Sequence, residues 1–359
     1  MRLPPPFLTG CSRGVAILGM FLAAATPAAD ARLLTVTNFS AFQRERVSTD
    51  LLVLTSPALD PGIPWKELVV SWNATSNVTL SIGARPVVPG GVPFLSLGRW
   101  TLTSSGPGGR GSVNGQKEPW GEVQTDVLSL RREAHAAEVR LEMRGPESGL
   151  RRLALAFSGG GNVATAAPPF TGAWGRDLPV PVRSQAEFPE GVTRWCSPTS
   201  TTMLMAYWGE QRGRADWIPT VPETVRGVFD PGWEGTGNWP FNMAFAGAHR
   251  DLNAVVARWE GLPDLERWVA AGLPAAASVS YALLKGRAAA ESGDGHLVVV
   301  RGWTAAGDVR VNDPGVRRER VERVFPRGDF DRAWAHSGRT VYLVWPDGQP
   351  LPEGPRYPR

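Results

Sequence analysis

The chain has 359 residues, with 38 Lys and Arg against 34 Asp and Glu and a formal net charge of +4 at pH 7. At roughly 100–200 residues per domain, this length predicts two domains. The densest basic stretch, residues 316–324, is interleaved with Glu319 and Glu322, whereas a nucleic-acid-binding protein concentrates its basic residues on one face. Composition therefore argues against a nucleic-acid partner.

The N-terminal segment has the features of an export signal. Two arginines precede an apolar run at residues 14–25, and residues 29–31 form a small-x-small cleavage site. The run is shorter than the ~20 residues that a transmembrane helix needs, and no other stretch of the sequence is long enough. We therefore expect a signal peptide over residues 1–31, cleavage near Ala31, and an exported protein without an integral membrane segment.

Residues 32–160 consist of short segments with the alternating or continuous apolar pattern of β-strands, separated by turn residues. The clearest segments are residues 67–72, 78–82, 138–143 and 152–157. No convincing amphipathic helix pattern occurs among them. This half is predicted to be an all-β, sandwich-like domain. A run of small residues and prolines at 161–175 predicts a linker, so we expect few contacts between the halves and independent folding of the second half.

The second half, residues 176–359, has helical patterns that precede strand-like runs. The helical segments are residues 198–208, 242–248 and 263–271, and the strand-like segments are residues 275–281, 295–303, 309–312 and 340–345. Helices followed by strands are typical of an α+β domain.

Several kinds of site can be set aside. After signal cleavage Cys196 is the remaining cysteine, which leaves no internal disulfide and no basis for a structural zinc site. A G-x-G-x-x-G string at residues 106–111 is not followed by a segment that could open a helix, as a dinucleotide site requires. We expect no metal and no cofactor.

Cys196 stands directly before a predicted helix, which Ser197 could cap and in which Pro198 is tolerated in the first turn. Unpaired N–H groups and the positive end of the helix dipole favour the thiolate, the nucleophilic form of cysteine. The alternative interpretation is a buried, inert thiol.

His296 is the best partner for this thiol, because it heads the apolar strand of residues 297–300 at a point where loops converge. A satisfied, half-buried histidine is the alternative. If the next hairpin has a loop at residues 305–308, Asp313 falls opposite Val300, on the same face as His296. A one-residue change in loop length would move it to the other face. In the expected register, the carboxylate could fix the imidazole tautomer.

The second half resembles the C39 cysteine peptidases of the papain superfamily, and more closely their secreted C39-like branch. The matching segments are residues 180–185, 195–200, 237–242, 295–300 and 311–314, within a region of roughly residues 176–347. The resemblance implies a papain-like α+β domain over 176–359. It also implies that Cys196 is the nucleophile, His296 the general base and Asp313 the orienting acid. Gln185 and the Cys196 N–H would then bind the oxyanion.

The sequence thus predicts an exported cysteine peptidase acting on a peptide or protein. Two alternatives stay open: the same residues could carry out amide or acyl transfer, or the domain could be a catalytically idle scaffold for cell-surface binding. Asn238, Trp239 and Trp195 are expected to bind substrate, with core filling as the other interpretation of these aromatics. The β-rich domain is expected either to bind the cell surface or to act as a propeptide.

Overall fold

The computed structural model describes residues 30–103, 109–160, 167–288 and 294–359. The predicted signal peptide lies outside these residues except for its last two positions, and so does the first half of the glycine-rich string at 106–111. Among the residues that are described, no helix combines the length and apolarity needed to cross a membrane.

The first half is built from two antiparallel sheets. Its strands are β1 (Ala31–Val36), β2 (Gln43–Arg46), β3 (Leu52–Thr55), β4 (Trp65–Ala74), β5 (Thr79–Pro86), β6 (Leu95–Trp100), β7 (Gln116–Glu118), β8 (Gly121–Gln124), β9 (Val127–Ala134), β10 (Ala137–Arg144) and β11 (Leu150–Ser158). One sheet has the order β1-β11-β4-β9-β8-β7 and the other β2-β3-β10-β5-β6. Alternate residues of β5 and β10 are buried, as expected for strands with one solvated face. The prediction of an all-β domain is confirmed.

The second half combines helices with one antiparallel sheet. The helices are α1 (Cys196–Arg212), α2 (Val221–Val228), α3 (Trp239–Ala246), α4 (Leu262–Ala270), α5 (Tyr281–Leu284) and α6 (Arg327–Ala335). The strands are β12 (Leu252–Arg258), β13 (Ala275–Ser280), β14 (Gly295–Trp303), β15 (Val309–Asn312), β16 (Glu322–Phe325) and β17 (Thr340–Pro346), in the order β12-β17-β13-β14-β15-β16. The α+β prediction is confirmed.

Helix α1 lies at the centre of this half and packs against β14, β17 and the helices α2 and α3. Residues 197–209 of the helix are all buried. Most of its polar residues have paired hydroxyls, Thr199 being the exception; for example, Thr202 donates to the carbonyl of Pro198, and its oxygen lies 2.9 Å from the Thr224 hydroxyl. The helix ends at Gly213, whose φ of 64° is accessible to glycine without strain.

The two halves share a continuous hydrophobic core. The amide of Asn73 on β4 pairs with the backbone of Ala254 on β12, donating to its carbonyl at 2.6 Å and accepting from its N–H at 3.1 Å. The ring of Phe241 on α3 lies 5.4 Å from that of Trp100 on β6. The expectation of few contacts between the halves is therefore wrong, because the composition of a linker carries no information about the surfaces on either side of it.

Candidate active site

Cys196 is the first residue of α1, and Trp195 is the N-cap residue. Ser197 does not cap the helix as the sequence suggested, since it already lies within the first turn. It is fully buried, and its hydroxyl lies 2.8 Å from the Tyr342 hydroxyl on β17. The partly exposed cysteine lies at the N-terminal end of a helix in which residues 197–209 are buried, beside the helix's unpaired N–H groups.

His296, the second residue of β14, is brought to Asp313, which directly follows β15. The imidazole Nε2 lies 2.8 Å from Asp313 Oδ1. Both side chains are buried, with 5% exposure for His296 and none for Asp313. Because Nε2 is engaged by the carboxylate, Nδ1 is the ring nitrogen left to exchange a proton with the thiol.

The register that places Asp313 on this face differs from the expected one. Val300 lies opposite Val311, which moves Asp313 two positions along the neighbouring strand. The first one-residue shift of register arises in the hairpin, where the Thr304 N–H donates to the carbonyl of Asp308. The second arises at a β-bulge directly after Val300. Because side chains alternate with a period of two, the two shifts together keep Asp313 on the expected face.

Asp313 accepts further hydrogen bonds from residues that the sequence analysis did not identify. The Gly315 N–H donates to Oδ1 at 2.9 Å, while the Tyr281 hydroxyl and Arg323 Nη1 donate to Oδ2 at 3.0 and 2.9 Å. The Tyr281 ring also stacks on the His296 imidazole at 4.0 Å between centroids. Arg323 belongs to the basic stretch that composition alone had presented as unremarkable, and no local pattern distinguishes it.

The electrostatics of the site favour an ion pair between thiolate and imidazolium. Burial would raise the pKa of the Cys196 thiol, but the hydrogen bond and charge of His296, with the N–H groups of Leu297 and Ser197, lower it. Burial would lower the pKa of His296, yet Asp313 and Cys196 raise it to about 9. Burial also opposes ionisation of Asp313, whose pKa is nevertheless lowered to about 2 by His296, the Gly315 N–H and Arg323. A lowered thiol pKa and a raised imidazole pKa mean that the thiolate and the imidazolium are the favoured forms of the pair.

Gln185 contacts the residue that follows Asp313. It is buried, and its backbone N–H donates to the Pro314 carbonyl at 3.0 Å. Its side-chain Nε2 donates to the Val192 carbonyl at 2.7 Å, in the segment that leads into Cys196. A primary amide has a second N–H, so one donor is left for another acceptor.

The three residues expected to bind substrate have different surroundings. Trp195 is partly buried with its ring 5.6 Å from Phe188, and Trp239 is also partly buried. Asn238 is 1% exposed; its Oδ1 accepts the N–H of Phe241 and its Nδ2 donates to Asp230. The Asn238 oxygen thus caps α3 while its nitrogen binds Asp230, and contact of the three residues with substrate stays a prediction.

A buried carboxylate, an imidazole and a thiol in this order form the arrangement that covalent catalysis at a carbonyl carbon requires. Across the part of the chain that is described, no cluster of three or more His, Cys, Asp or Glu side chains is arranged to hold a metal ion.

Comparison with known proteins finds family matches in both halves of the chain. Residues 177–342 match the model of the peptidase C39-like family, and residues 7–156 match the peptidase C39 N-terminal domain. A crystal structure described as that of a C39-like peptidase from Bacillus anthracis is 17% identical, with a TM-score of 0.37 over 47% of this chain and 97% of that chain. No curated protein matches. Residues 177–342 are therefore similar to the peptidase C39-like family, and the residues ahead of them are similar to the peptidase C39 N-terminal domain.

Proposed function

We propose that the protein is an exported cysteine peptidase that hydrolyses peptide bonds through a thioester acyl-enzyme on Cys196. His296 is the general base and acid, and Asp313 orients it. The Cys196 N–H and the second N–H of the Gln185 amide bind the oxyanion. The observation that carries the proposal is the buried pair of His296 and Asp313, 2.8 Å apart, beside a thiol whose pKa is lowered by that same histidine.

The reaction follows from the positions of these groups. The Cys196 thiolate attacks the carbonyl carbon, and the negative charge moves to the carbonyl oxygen, where fixed N–H donors stabilise it. The imidazolium of His296 then gives its proton to the leaving amine as the C–N bond breaks. A water molecule, deprotonated by the neutral imidazole, attacks the thioester and releases the carboxylic acid and the thiol.

Export is proposed from the apolar run and small residues of the N-terminal segment, which lie ahead of the described chain. Contacts of Asp30 and Ala31 are relevant to the position of signal-peptide cleavage. Ala31 pairs with Ser158 as the first residue of β1, and the Asp30 N–H donates to Glu260 at 3.0 Å. Cleavage before Asp30 would preserve both contacts. N-terminal sequencing of the exported protein measures where the signal peptide is cleaved.

Alkylation of Cys196 at pH 6 tests the ion pair directly. A free thiol has a pKa of about 8.5 and reacts slowly with iodoacetamide at this pH, so wild-type protein should react much faster than a model thiol. His296→Ala should remove most of that excess. His135→Ala is the matched control, because His135 is exposed in the first half of the chain.

Product analysis with a peptide library separates the candidate reactions. Hydrolysis that is lost in Cys196→Ala supports the peptidase, whereas products joined to an added amine would show that the same acyl-enzyme serves transfer. A thiol that reacts only after denaturation, together with no turnover, would mean that the domain is a scaffold and would refute the proposal.

A further inference from the structure

The loop from Phe229 to Trp239, here called the cleft loop, runs beside the segment that leads into Cys196. The Thr236 hydroxyl donates to the Arg194 carbonyl at 2.7 Å, two residues before the thiol. Trp233 on this loop is 46% exposed. Its indole covers Gly235, where a Cβ atom would come within 2.6 Å of the ring. The cleft loop thus carries an exposed aromatic side chain and contacts the segment that leads into the nucleophile.

The start of the cleft loop is held by Arg110, a residue of the β-rich domain. Arg110 is only 3% exposed. Its Nε donates to the Phe229 carbonyl at 2.8 Å and its Nη2 to the Arg226 carbonyl at 2.7 Å, while Nη1 donates to Thr101 of its own domain at 3.0 Å. A buried guanidinium with fixed donors therefore fastens the loop's first residue to the other domain.

The next residues of the loop are bound by the same segment of the β-rich domain. The Ser112 N–H donates to Asp230 Oδ1 at 2.9 Å, and Asn114 Nδ2 donates to the Gly232 carbonyl at 2.8 Å. A side chain at Gly232 would collide with the Ser112 carbonyl. Asp230 is fully buried, and its other oxygen accepts from Asn238 near the far end of the loop.

The end of the cleft loop is held by a second part of the β-rich domain. Asp126, in the turn between β8 and β9, is buried and accepts the Trp239 N–H at 2.6 Å. Thr125 beside it has a φ of 54°, a conformation that is uncommon for a non-glycine residue. The turn thus directs a carboxylate to the first residue of α3.

We propose that the β-rich domain is part of the substrate cleft, and that Arg110 and Asp126 are positioning residues that hold the cleft loop in its substrate-binding conformation. The inference rests on the proposed peptidase function. Three glycines, at 232, 235 and 237, make the free loop conformationally costly to order. Contacts from both ends fix it before substrate arrives, so their loss should weaken substrate binding and leave the Cys196–His296 pair intact. A removable propeptide would behave in the opposite way, since its loss would raise activity.

Arg110→Met tests the inference, because it keeps an unbranched stem that reaches about as far as Nε and removes the hydrogen bonds of the guanidinium. On a peptide that wild-type protein cleaves, we expect KM to rise about tenfold or more, while alkylation of Cys196 at pH 6 stays unchanged. Arg110→Lys should restore part of the loss. Asn73→Ala is the control: it also removes two buried hydrogen bonds between the domains, but beside Gly247, at the end of α3 opposite the cleft loop, so it should lower Tm and leave KM unchanged.

Asn114→Ala is a second variant that is safe for folding, because Asn114 is exposed and donates one bond to the loop. We expect its KM to rise about threefold, in line with the loss of a single hydrogen bond. Equal KM values in wild type, Arg110→Met and Asn114→Ala would overturn the inference, whatever happens to Tm.

Hydrogen exchange separates this inference from the peptidase proposal. Amides of residues 231–239 should exchange faster in Arg110→Met and Asn114→Ala than in wild type or Asn73→Ala, whether or not any peptide is cleaved. Unchanged exchange would overturn the role of the β-rich domain in holding the loop. Faster exchange in the two variants, combined with a wild-type protein that neither cleaves peptides nor is alkylated rapidly, would instead refute the peptidase function and leave the role of the β-rich domain standing.

Discussion

Replacing Asp313 by asparagine tests whether the site needs a charge or only an acceptor next to His296. An amide that keeps its oxygen at the Oδ1 position still accepts from His296 and from the Gly315 N–H. Its nitrogen then faces Arg323 and the Tyr281 hydroxyl, which both donate to Oδ2 in the native site. The hydroxyl can rotate and become an acceptor, but a guanidinium is a donor only. We therefore expect the imidazole to keep its place and to lose its counter-charge.

The size of the effect follows from the pKa of His296, which is raised from 6.5 to about 9 against the opposing effect of burial. Asp313 and Cys196 share this net rise, and at about 1.4 kcal/mol per unit it amounts to roughly 3 to 4 kcal/mol. Loss of the contribution that Asp313 makes to this rise in the His296 pKa should reduce kcat/KM by about ten- to a hundredfold at pH 8. The imidazolium would lose its proton at lower pH, so the alkaline limb of the profile should move down by about one to two units, with the pair titrating as a unit.

The assay is kcat/KM measured from pH 5 to pH 10 for wild type, Asp313→Asn and Asp313→Ala. Alanine also removes the acceptor for His296 and should be the most impaired. Asp177→Asn is a matched control, since Asp177 pairs with Arg301 on β14, away from the imidazole. An Asp313→Asn enzyme with the wild-type rate and alkaline limb would refute the reasoning, because the site would then need only an acceptor.

Two further outcomes are expected. Gln185→Ala should lower kcat by about a hundredfold, because the oxyanion would lose one hydrogen-bond donor. The rate of Cys196 alkylation at pH 6 should stay unchanged. A parallel loss of alkylation would show that Gln185 instead shapes the thiol site. A fragment of residues 176–359 should lose its near-UV circular dichroism, because Phe241 and β12 would lose their buried partners in the first half. A native-like spectrum of the fragment would contradict this expectation.

The amino-acid sequence by itself determined the local features of the site. Cys196 begins a helix because a helix-compatible segment follows it and Pro198 is tolerated in the first turn. His296 lies near the start of a buried strand because an unbroken apolar run follows it. Alternation of apolar residues likewise identified β4, β5, β10 and β11 in the first half. These are properties of near neighbours in the chain, which is why a single sequence reveals them.

Tertiary structure alone decided which distant groups meet. Asp313 reached the expected face through two register shifts that compensate each other, and neither the hairpin closure nor the bulge has a signature in the residues. Tyr281 and Arg323 join the site from α5 and β16 because the order of strands in the sheet brings those elements to Asp313. The contact between the domains was likewise invisible in a linker of small residues. Such contacts depend on which faces the fold brings together, and elements that are far apart in the chain share no local pattern from which that could be predicted.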